Sequence, residues 1–330
     1  MSYKANPERY QKMTYQRVGK SGLKLPYLSL GLWQNFGDSS PFANQKDIVL
    51  AALDNGITHF DLANNYGPPA GAAETNFGKI FKESLSSYRD EIIVSSKAGY
   101  YMWEGPYGEW GSRKQIISSC DQSLQRLGLN YVDIFYHHRP DLETPLEETA
   151  YALDSLVRQG KALYIGISNY DYKRTLAIAK IFDELKTPFI IHQCRYNMLD
   201  RKPEENLFDT LDSIGLGAIT YSPLAQGLLT DKYLNGIPED SRASKNDIPF
   251  LTEEKVDKTI SKVKQLNELA QSRNQTLAQM ALAWNLQRKT VASVIIGCSK
   301  ISQLEDNLKA LSNASFSNDE LHAIASILEN

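Results

Sequence analysis

Eight short apolar runs alternate with amphipathic stretches along nearly the whole of this 330-residue chain. Such near-continuous hydrophobic runs are expected for strands that are buried on both faces of a parallel sheet. They occupy residues 25–33, 57–63, 91–98, 132–138, 162–169, 189–193, 216–223 and 291–298. Eight strands alternating with helices predict an α/β fold, the (β/α)8 TIM barrel, formed by residues 1–330 as a single domain.

Seven stretches between or after the runs carry helical signals, and one long connection is an exception to the alternation. Apolar residues recur at helical spacing in 45–55, 112–127, 147–159, 171–185, 204–214, 276–288 and 302–311. Ser112 is suited to cap its helix, and several of the stretches stop at a glycine. A polar-edged β-hairpin, 14–18 with 22–25, is predicted before the barrel. The exception is the connection from Pro223 to about Thr252, which is long enough to predict a functional loop.

Composition narrows the class of protein. The net charge of −3 favours neither nucleic acid nor an anionic membrane as a partner, and no apolar run approaches the roughly 18 residues of a membrane span. Cys120, Cys194 and Cys298 are odd in number and widely spaced, which argues against disulfides or a zinc site. No early segment resembles a signal peptide, so a reducing cytoplasm is the expected location.

A doubly wound sheet, the alternative architecture, is disfavoured because no strand leads into GxGxxG.

Polar residues end several of the predicted strands. In a (β/α)8 barrel the active site lies at the carboxyl ends of the strands, so these residues should meet at one mouth. Asp61 lies near the end of the second run and Tyr66 follows it, Lys97 lies at the end of the third, and His137 or His138 ends the fourth. Any one of them alone is more often a structural ion pair or a packed residue, so the prediction depends on their occurrence at consecutive strand ends.

These residue types suit the reduction of a carbonyl group. A nearby ammonium would lower the pKa of a tyrosine from its usual value of about 10, and an aspartate would hold that ammonium charged. A neutral histidine can donate a hydrogen bond to a carbonyl oxygen while the tyrosine supplies the proton. Because no side chain provides a hydride, a nicotinamide or flavin cofactor is also predicted.

The sequence around these strand ends resembles the aldo-keto reductase family. Residues 56–66 (GITHFDLANNY) resemble a family signature with Asp and Tyr five residues apart, and 132–138 (VDIFYHH) resembles the segment that carries the catalytic histidine. The likeness runs from about residue 14 to residue 311. The family spacing selects the second histidine of the pair, and the implied catalytic residues are Asp61, Tyr66, Lys97 and His138.

The resemblance implies NADP(H) as the cofactor. The side chains at 168, 169 and 193 would hold the nicotinamide carboxamide, Tyr221 would stack on the ring, and the loop after strand seven would cover the pyrophosphate. Arg242 and the start of the last helix would meet the 2′-phosphate, since a guanidinium and a helix N-terminus both favour an anion. Trp33 would line the substrate pocket with Tyr66 and His138. The full implied cofactor set is Trp33, Ser168, Asn169, Gln193, Tyr221, Ser222, Pro223, Leu224, Gly227, Leu228, Lys232, Arg242, Gly297, Ser299, Gln303, Asp306 and Asn307.

Two branches of the family are similar to this chain. Residues 221–229 (YSPLAQGLL) and 241–244 (SRAS) resemble both the bacterial L-glyceraldehyde 3-phosphate reductase group and the β subunits of voltage-gated potassium channels. The first branch, favoured by 6–10 and 64–69, implies small carbonyl substrates such as glyceraldehyde 3-phosphate or methylglyoxal and a homo-oligomer, a tetramer or octamer. The second implies a redox-sensing subunit with slow turnover and an ion-channel partner.

Two hypotheses of other classes account for fewer of these residues. A (β/α)8 hydrolase that uses Asp61 and Glu74 as paired carboxylates leaves Lys97, Tyr221 and Arg242 unexplained. A metal enzyme that uses His137 and His138 lacks a third ligand at suitable spacing, and adjacent residues of one strand point to opposite faces.

Overall fold

Eight parallel strands form a closed barrel in this computed structural model, which describes residues 3–238 and 251–329. The barrel strands follow one another in chain order, and the last pairs with the first, as the sequence predicts. A short antiparallel hairpin precedes them. The hairpin consists of β1 (Tyr15–Arg17) and β2 (Lys24–Pro26), and the barrel of β3 (Leu28–Gly31), β4 (His59–Asp61), β5 (Ile93–Ala98), β6 (Val132–His137), β7 (Ala162–Ser168), β8 (Phe189–Arg195), β9 (Gly217–Tyr221) and β10 (Val291–Ile296).

Helices surround the barrel in the positions that the periodicity predicts, and further helices occur that it did not predict. The α2, α7 and α10 helices were not predicted. Ser112 caps α3 by accepting a hydrogen bond from the Gln115 amide, and Gly128 ends that helix at φ +66°. No helix of the described residues is long and apolar enough to cross a membrane. The helices are α1 (Phe42–Asp54), α2 (Ala72–Ile80), α3 (Arg113–Leu127), α4 (Leu146–Arg158), α5 (Tyr172–Leu185), α6 (Leu207–Ile214), α7 (Glu253–Ser272), α8 (Leu277–Asn285), α9 (Ile301–Leu308) and α10 (Asn318–Glu329).

The first predicted barrel run, 25–33, is wrong at its start. Leu25 and Pro26 belong to the hairpin, where Pro26 pairs with Tyr15, and the barrel strand begins only at Leu28. The reason is local hydrogen bonding: the Tyr27 amide donates to the carbonyl of Thr14 and so keeps this stretch with the hairpin. An apolar run therefore covers two elements here.

The described part of the long connection after β9 contains two short turns. Single 3-10 turns lie at Ala225–Gly227 and Asp231–Tyr233. The side chains of Leu228, Tyr233, Leu251 and Val256 form a separate buried apolar cluster, which fixes both ends of the connection against α7. Arg242 lies outside the described residues.

Because four histidines are buried, the free energy of unfolding depends on pH. Burial lowers the pKa of His59, His137 and His192 to about 4 and that of His138 well below its usual value of 6.5. In the unfolded chain each binds a proton near pH 6.5. Between pH 6.5 and about 4 the unfolded state therefore binds more protons, so the free energy of unfolding falls as the pH falls through this window.

We expect His192→Gln to make this pH dependence shallower. Removing one such histidine should reduce the slope by up to about 1.4 kcal/mol per pH unit between pH 6 and pH 4.5. The measurement is urea unfolding at several pH values, with the exposed His322→Gln as the matched control. Parallel slopes for the wild type and His192→Gln would show that His192 is already protonated in the folded protein.

Candidate active site

Three neighbouring strands bring the candidate catalytic residues to one end of the barrel. Asp61 is the last residue of β4, Lys97 lies near the end of β5, and His138 directly follows β6. These strands are adjacent and parallel, so their carboxyl ends meet at the same mouth. Tyr66 lies in the loop after β4, where its ring centre is 6.0 Å from that of His138. We call Asp61, Tyr66, Lys97 and His138 the mouth cluster.

Asp61 and Lys97 form a buried ion pair. The Lys97 Nζ donates to Asp61 Oδ2 and to the carbonyl oxygen of Leu62, both at 2.6 Å. The other carboxylate oxygen, Oδ1, accepts from Ser95 Oγ at 2.8 Å and from Gln193 Nε2 at 3.1 Å. Burial lowers the pKa of Lys97, and the carboxylate of Asp61 opposes that shift. Asp61 is thus the group that keeps an ammonium in the barrel interior.

The hydroxyl of Tyr66 behaves differently from the sequence-based prediction. Burial raises the pKa of Tyr66 well above 10, and the charge of Asp61 raises it further. The Lys97 Nζ is 4.8 Å from the centre of the Tyr66 ring. Removing a phenolate from water is unfavourable, and this cost outweighs the effect of the ammonium, so the pKa is raised and not lowered as the sequence predicts. Tyr66 is therefore a neutral phenol, the form that can donate a proton.

His137 and His138 have separate surroundings, as expected for adjacent residues of a strand. His137 is fully buried, and its Nδ1 lies 2.6 Å from the hydroxyl of Tyr170. The His138 ring instead packs edge-on against Tyr100, with ring centres 4.6 Å apart, and contacts Tyr66. Burial, reinforced by the charge of Lys97, lowers the pKa of His138 well below 6.5. Its imidazole is neutral, so one ring nitrogen carries a proton that can be donated.

The residues predicted to hold a nicotinamide carboxamide lie beside this cluster. Asn169 follows β7 with φ +63°, and its amide N–H donates to the carbonyl of Gln193 at 3.1 Å. Tyr221, at the end of β9, donates from its hydroxyl to Asn169 Oδ1 at 2.7 Å. Asn169 Nδ2 also donates to the Ser168 hydroxyl and to the carbonyl of His138. Hydrogen bonds from Gln193 to Asp61 and from Asn169 to the carbonyl of His138 connect these side chains to the mouth cluster.

The residues predicted to lie along the pyrophosphate occupy the start of the long connection. Ser222 and Gly227 have φ values of +55° and +100°, so the backbone turns sharply where it leaves the barrel. Lys232 is exposed, whereas Leu228 is fully buried in the apolar cluster around Tyr233. Any contact of Leu228 with a ligand would therefore come from its backbone.

The predicted adenosine-side residues lie just before α9 and along it. The Ser299 amide and hydroxyl both donate to Gln303 Oε1, at 2.8 and 3.0 Å. Asn307 is buried, and its Nδ2 lies 3.7 Å from Cys298 Sγ. Asp306 Oδ1 accepts from the Gln279 side chain at 2.8 Å, so this carboxylate is occupied within the fold.

Open space at two glycines fits a bound dinucleotide. A Cβ built on Gly297, after β10, would meet no atom within 4 Å, and one on Gly227 would meet only the Tyr233 ring, at 3.5 Å. Trp33 follows β3 at the same end of the barrel and is partly buried. The side-chain amides at 169 and 193, the ring of Tyr221 and the open space at these two glycines fit a nicotinamide dinucleotide.

A cation that the sequence left unassigned lies beside the mouth. Arg139 stacks between Tyr100 and Trp110, with its guanidinium carbon 4.3 and 3.8 Å from the two ring centres. Its Nε donates to the carbonyl of Gly99 at 3.0 Å, and it forms an ion pair with Glu109. Tyr100 thus contacts both this guanidinium and the ring of His138.

Two further residues, Arg113 and Glu74, have their partners outside the mouth cluster. Arg113 donates to the carbonyl of Tyr151 and the hydroxyl of Ser155, so it is bound to the outer surface of α4. Glu74 accepts from Ser96 Oγ at 2.5 Å and from Arg126 Nε at 2.7 Å, so it is paired away from Asp61. That pairing argues against the hydrolase hypothesis. Within the described residues no three His, Cys, Asp or Glu side chains are grouped as metal ligands.

Sequence reasoning missed His59 and Ser95, which contact each other and support Asp61. His59 Nε2 lies 2.9 Å from Ser95 Oγ, which donates to Asp61. A signal was present, because His59 and Ser95 each stand two residues before a mouth residue, and alternate residues of a strand share a face.

Comparison with known proteins agrees with this arrangement. The profile of the Aldo/keto reductase family matches residues 27–329. The chain is 54% identical over 328 residues to the L-glyceraldehyde 3-phosphate reductases of Escherichia coli O157:H7 and strain K12, which covers 98% of this chain and 95% of each relative. It is 38% identical over 303 residues to a probable voltage-gated potassium channel subunit beta of Arabidopsis thaliana, covering 91% of both chains. The barrel, the residues gathered at its mouth and these matches together place the chain in the aldo/keto reductase family, as an oxidoreductase of carbonyl groups.

Proposed function

We propose that this protein uses NADPH to reduce small aldehydes and ketones to alcohols, with Tyr66 as the proton donor. The observation that carries the proposal is the mouth cluster itself. A neutral phenol and a neutral imidazole have ring centres 6.0 Å apart beside a buried Lys–Asp pair. Glyceraldehyde 3-phosphate and methylglyoxal are the substrates we favour, because the relatives at 54% identity are named for the first.

Each residue of the mouth cluster has a distinct role in this proposal. The nicotinamide, when bound, supplies the hydride. Tyr66 donates its hydroxyl proton to the carbonyl oxygen, and the neutral His138 donates a hydrogen bond that orients that oxygen. Lys97 then stabilises the phenolate left on Tyr66, and Asp61 holds Lys97 charged and in place.

The cofactor would lie across the carboxyl ends of β7 to β10. Ser168, Asn169 and Gln193 are proposed to bind the carboxamide, and Tyr221 to cover the ring. Ser299 and Gln303 would meet the 2′-phosphate at the N-terminus of α9, a position that favours an anion. Preference for NADPH over NADH is part of this proposal.

The test is a panel of reductions with each cofactor. Purified protein is assayed for loss of absorbance of NADPH or NADH with L-glyceraldehyde 3-phosphate, methylglyoxal and an aromatic aldehyde. We expect turnover with NADPH, a higher KM for NADH, and the highest kcat/KM among the small substrates. Absence of turnover with every aldehyde, or a preference for NADH, would contradict the proposal.

A second candidate function is a redox-sensing subunit. The 38% identity to a probable plant potassium channel subunit beta favours it. In that case the protein should retain tightly bound cofactor through purification and turn it over slowly with every aldehyde. Cofactor that dissociates faster than the protein turns over would favour the enzyme over the sensor.

We also propose a cytoplasmic homo-oligomer, a tetramer or octamer. Tyr101, Tyr107 and Trp110 are about half exposed on the loop after β5, and exposed aromatic side chains are typical of surfaces that another chain covers. Light scattering coupled to gel filtration measures the assembly. A monomer at micromolar concentration would contradict this part of the proposal.

Arg139 should favour substrates that carry a phosphate. We expect Arg139→Met to lower kcat/KM for L-glyceraldehyde 3-phosphate about tenfold more than for methylglyoxal, because a guanidinium binds phosphate through charged hydrogen bonds. The matched control is Arg113→Met, which removes a cation from the surface of α4. Equal losses for the two substrates would show that Arg139 acts only by holding Tyr100 and its loop.

A further inference from the structure

A chain of hydrogen bonds runs through the barrel interior and ends on Asp61. Ser293 Oγ lies 2.6 Å from Ser29 Oγ, and Ser29 Oγ lies 2.9 Å from His59 Nδ1. On the other side of the imidazole, His59 Nε2 lies 2.9 Å from Ser95 Oγ, which donates to Asp61 Oδ1 at 2.8 Å. All five residues are at most 1% exposed. They come from the four neighbouring strands β10, β3, β4 and β5.

The direction of every bond in this chain follows from the charge at its end. An ionised carboxylate only accepts, so the single hydroxyl proton of Ser95 points at Asp61. Ser95 can then only accept from His59, which requires a proton on Nε2. Since burial keeps His59 neutral, with a pKa of about 4, its Nδ1 is an acceptor. Ser29 therefore donates to His59, and Ser293 donates to Ser29.

We propose that His59 is a positioning residue, which holds Asp61 through Ser95 in the orientation that pairs it with Lys97. A neutral imidazole with a fixed proton makes Ser95 a pure donor to the carboxylate. The hydroxyl and the Gln193 amide then occupy Oδ1 and leave Oδ2 for Lys97. The inference rests on the proposed function only where it uses turnover as a readout.

The alternative is that His59 merely fills the barrel interior. His192 provides a control for that role, since it is equally buried on β8 and burial also lowers its pKa to about 4. Its Nε2 lies 3.1 Å from the carbonyl oxygen of Tyr170, and none of its hydrogen bonds reaches Asp61. A space-filling role would make the two histidines respond alike.

The first experiment observes the proton without using activity. In ¹⁵N-labelled wild-type protein at pH 7, long-range ¹H–¹⁵N spectra distinguish the two neutral tautomers from the imidazolium, and His59→Gln assigns the signal. We expect His59 to carry its proton on Nε2. A proton on Nδ1, or an imidazolium at pH 7, would overturn the inference even if the protein reduces aldehydes as proposed.

The second experiment measures kinetics in the variants His59→Leu, His59→Gln and His192→Leu. His59→Leu should lower kcat roughly tenfold with little change in KM, because a hydrogen bond to a charged group is weakened. His59→Gln retains an N–H near the Nε2 position and should recover part of the loss. His192→Leu should change kcat by much less. Equal kcat in His59→Leu and His192→Leu would contradict a positioning role.

The pH profile supplies a further readout. If Asp61 is held less firmly in His59→Leu, it opposes the effect of burial on Lys97 less, and the pKa of Lys97 falls further. The alkaline limb of the pH profile of kcat should therefore move to lower pH. Ser95→Ala should move the alkaline limb in the same direction. Because it is a smaller substitution, Ser95→Ala replaces His59→Leu in this experiment if His59→Leu does not fold. An unmoved limb in both variants would contradict the inference.

The charged and titratable groups that face Lys97 are Asp61, Tyr66, Glu74, Tyr136 and His138, and those that face His59 are Asp61 and Lys97.

Discussion

Tyr66→Phe should abolish most turnover and leave cofactor binding intact. The hydroxyl of Tyr66 is the proposed proton donor, and burial keeps it protonated. General acid catalysis contributes about 10²- to 10⁴-fold, so we expect kcat for methylglyoxal to fall by at least about a hundredfold. The measurements are steady-state NADPH consumption and the Kd of NADPH from quenching of tryptophan fluorescence. The Kd should stay close to that of the wild type, because the phenyl ring is retained.

The matched control is Tyr101→Phe. Tyr101 is 54% exposed on the loop after β5, so it loses the same hydroxyl outside the mouth cluster. Its kcat should be unchanged. Wild-type turnover in Tyr66→Phe would exclude Tyr66 as the proton donor, whereas a parallel loss of NADPH affinity would show that the substitution disturbs the cofactor site.

Lys97→Met should destabilise the fold and remove activity together. The substitution leaves the carboxylate of Asp61 buried without its cation, and breaking one partner of a buried pair costs about 3–5 kcal/mol. Ser95 and Gln193 still donate to Asp61, so we expect a loss near the lower end of that range. Urea unfolding at pH 7 measures the change in the free energy of unfolding, and NADPH consumption measures turnover.

The double variant Asp61→Asn/Lys97→Met separates the two effects. Removing both charges leaves no buried ion unpaired, so most of the lost stability should return. Turnover should stay lost, because no ammonium remains to stabilise the Tyr66 phenolate. Recovery of activity in the double variant would show that the pair is structural. A single variant within about 1 kcal/mol of the wild type would show that Ser95, Gln193 and water stabilise the Asp61 carboxylate without Lys97.

Whether the environment of a site residue could be predicted depends on how far apart in sequence the interacting residues lie. The gathering of Asp61, Lys97 and His138 could be predicted because parallel strands carry their last residues to one mouth. The pairing of Asp306 with Gln279 could not, since it joins α9 to a side chain on α8. The burial of Leu228 in the cluster with Leu251 could likewise not be predicted from the sequence, because the two residues lie near opposite ends of the long connection.

The sequence by itself determined the barrel and the residue types at its mouth, because strand periodicity and strand ends are local features of the chain. Only the tertiary structure decided the proton positions. The pKa of Tyr66 is raised rather than lowered because desolvation depends on everything packed around the hydroxyl. The tautomer of His59 follows from a chain that joins Ser29 to Ser293, residues 264 apart in sequence. Electrostatic interactions in a buried site depend on distances in space, which the order of residues does not specify.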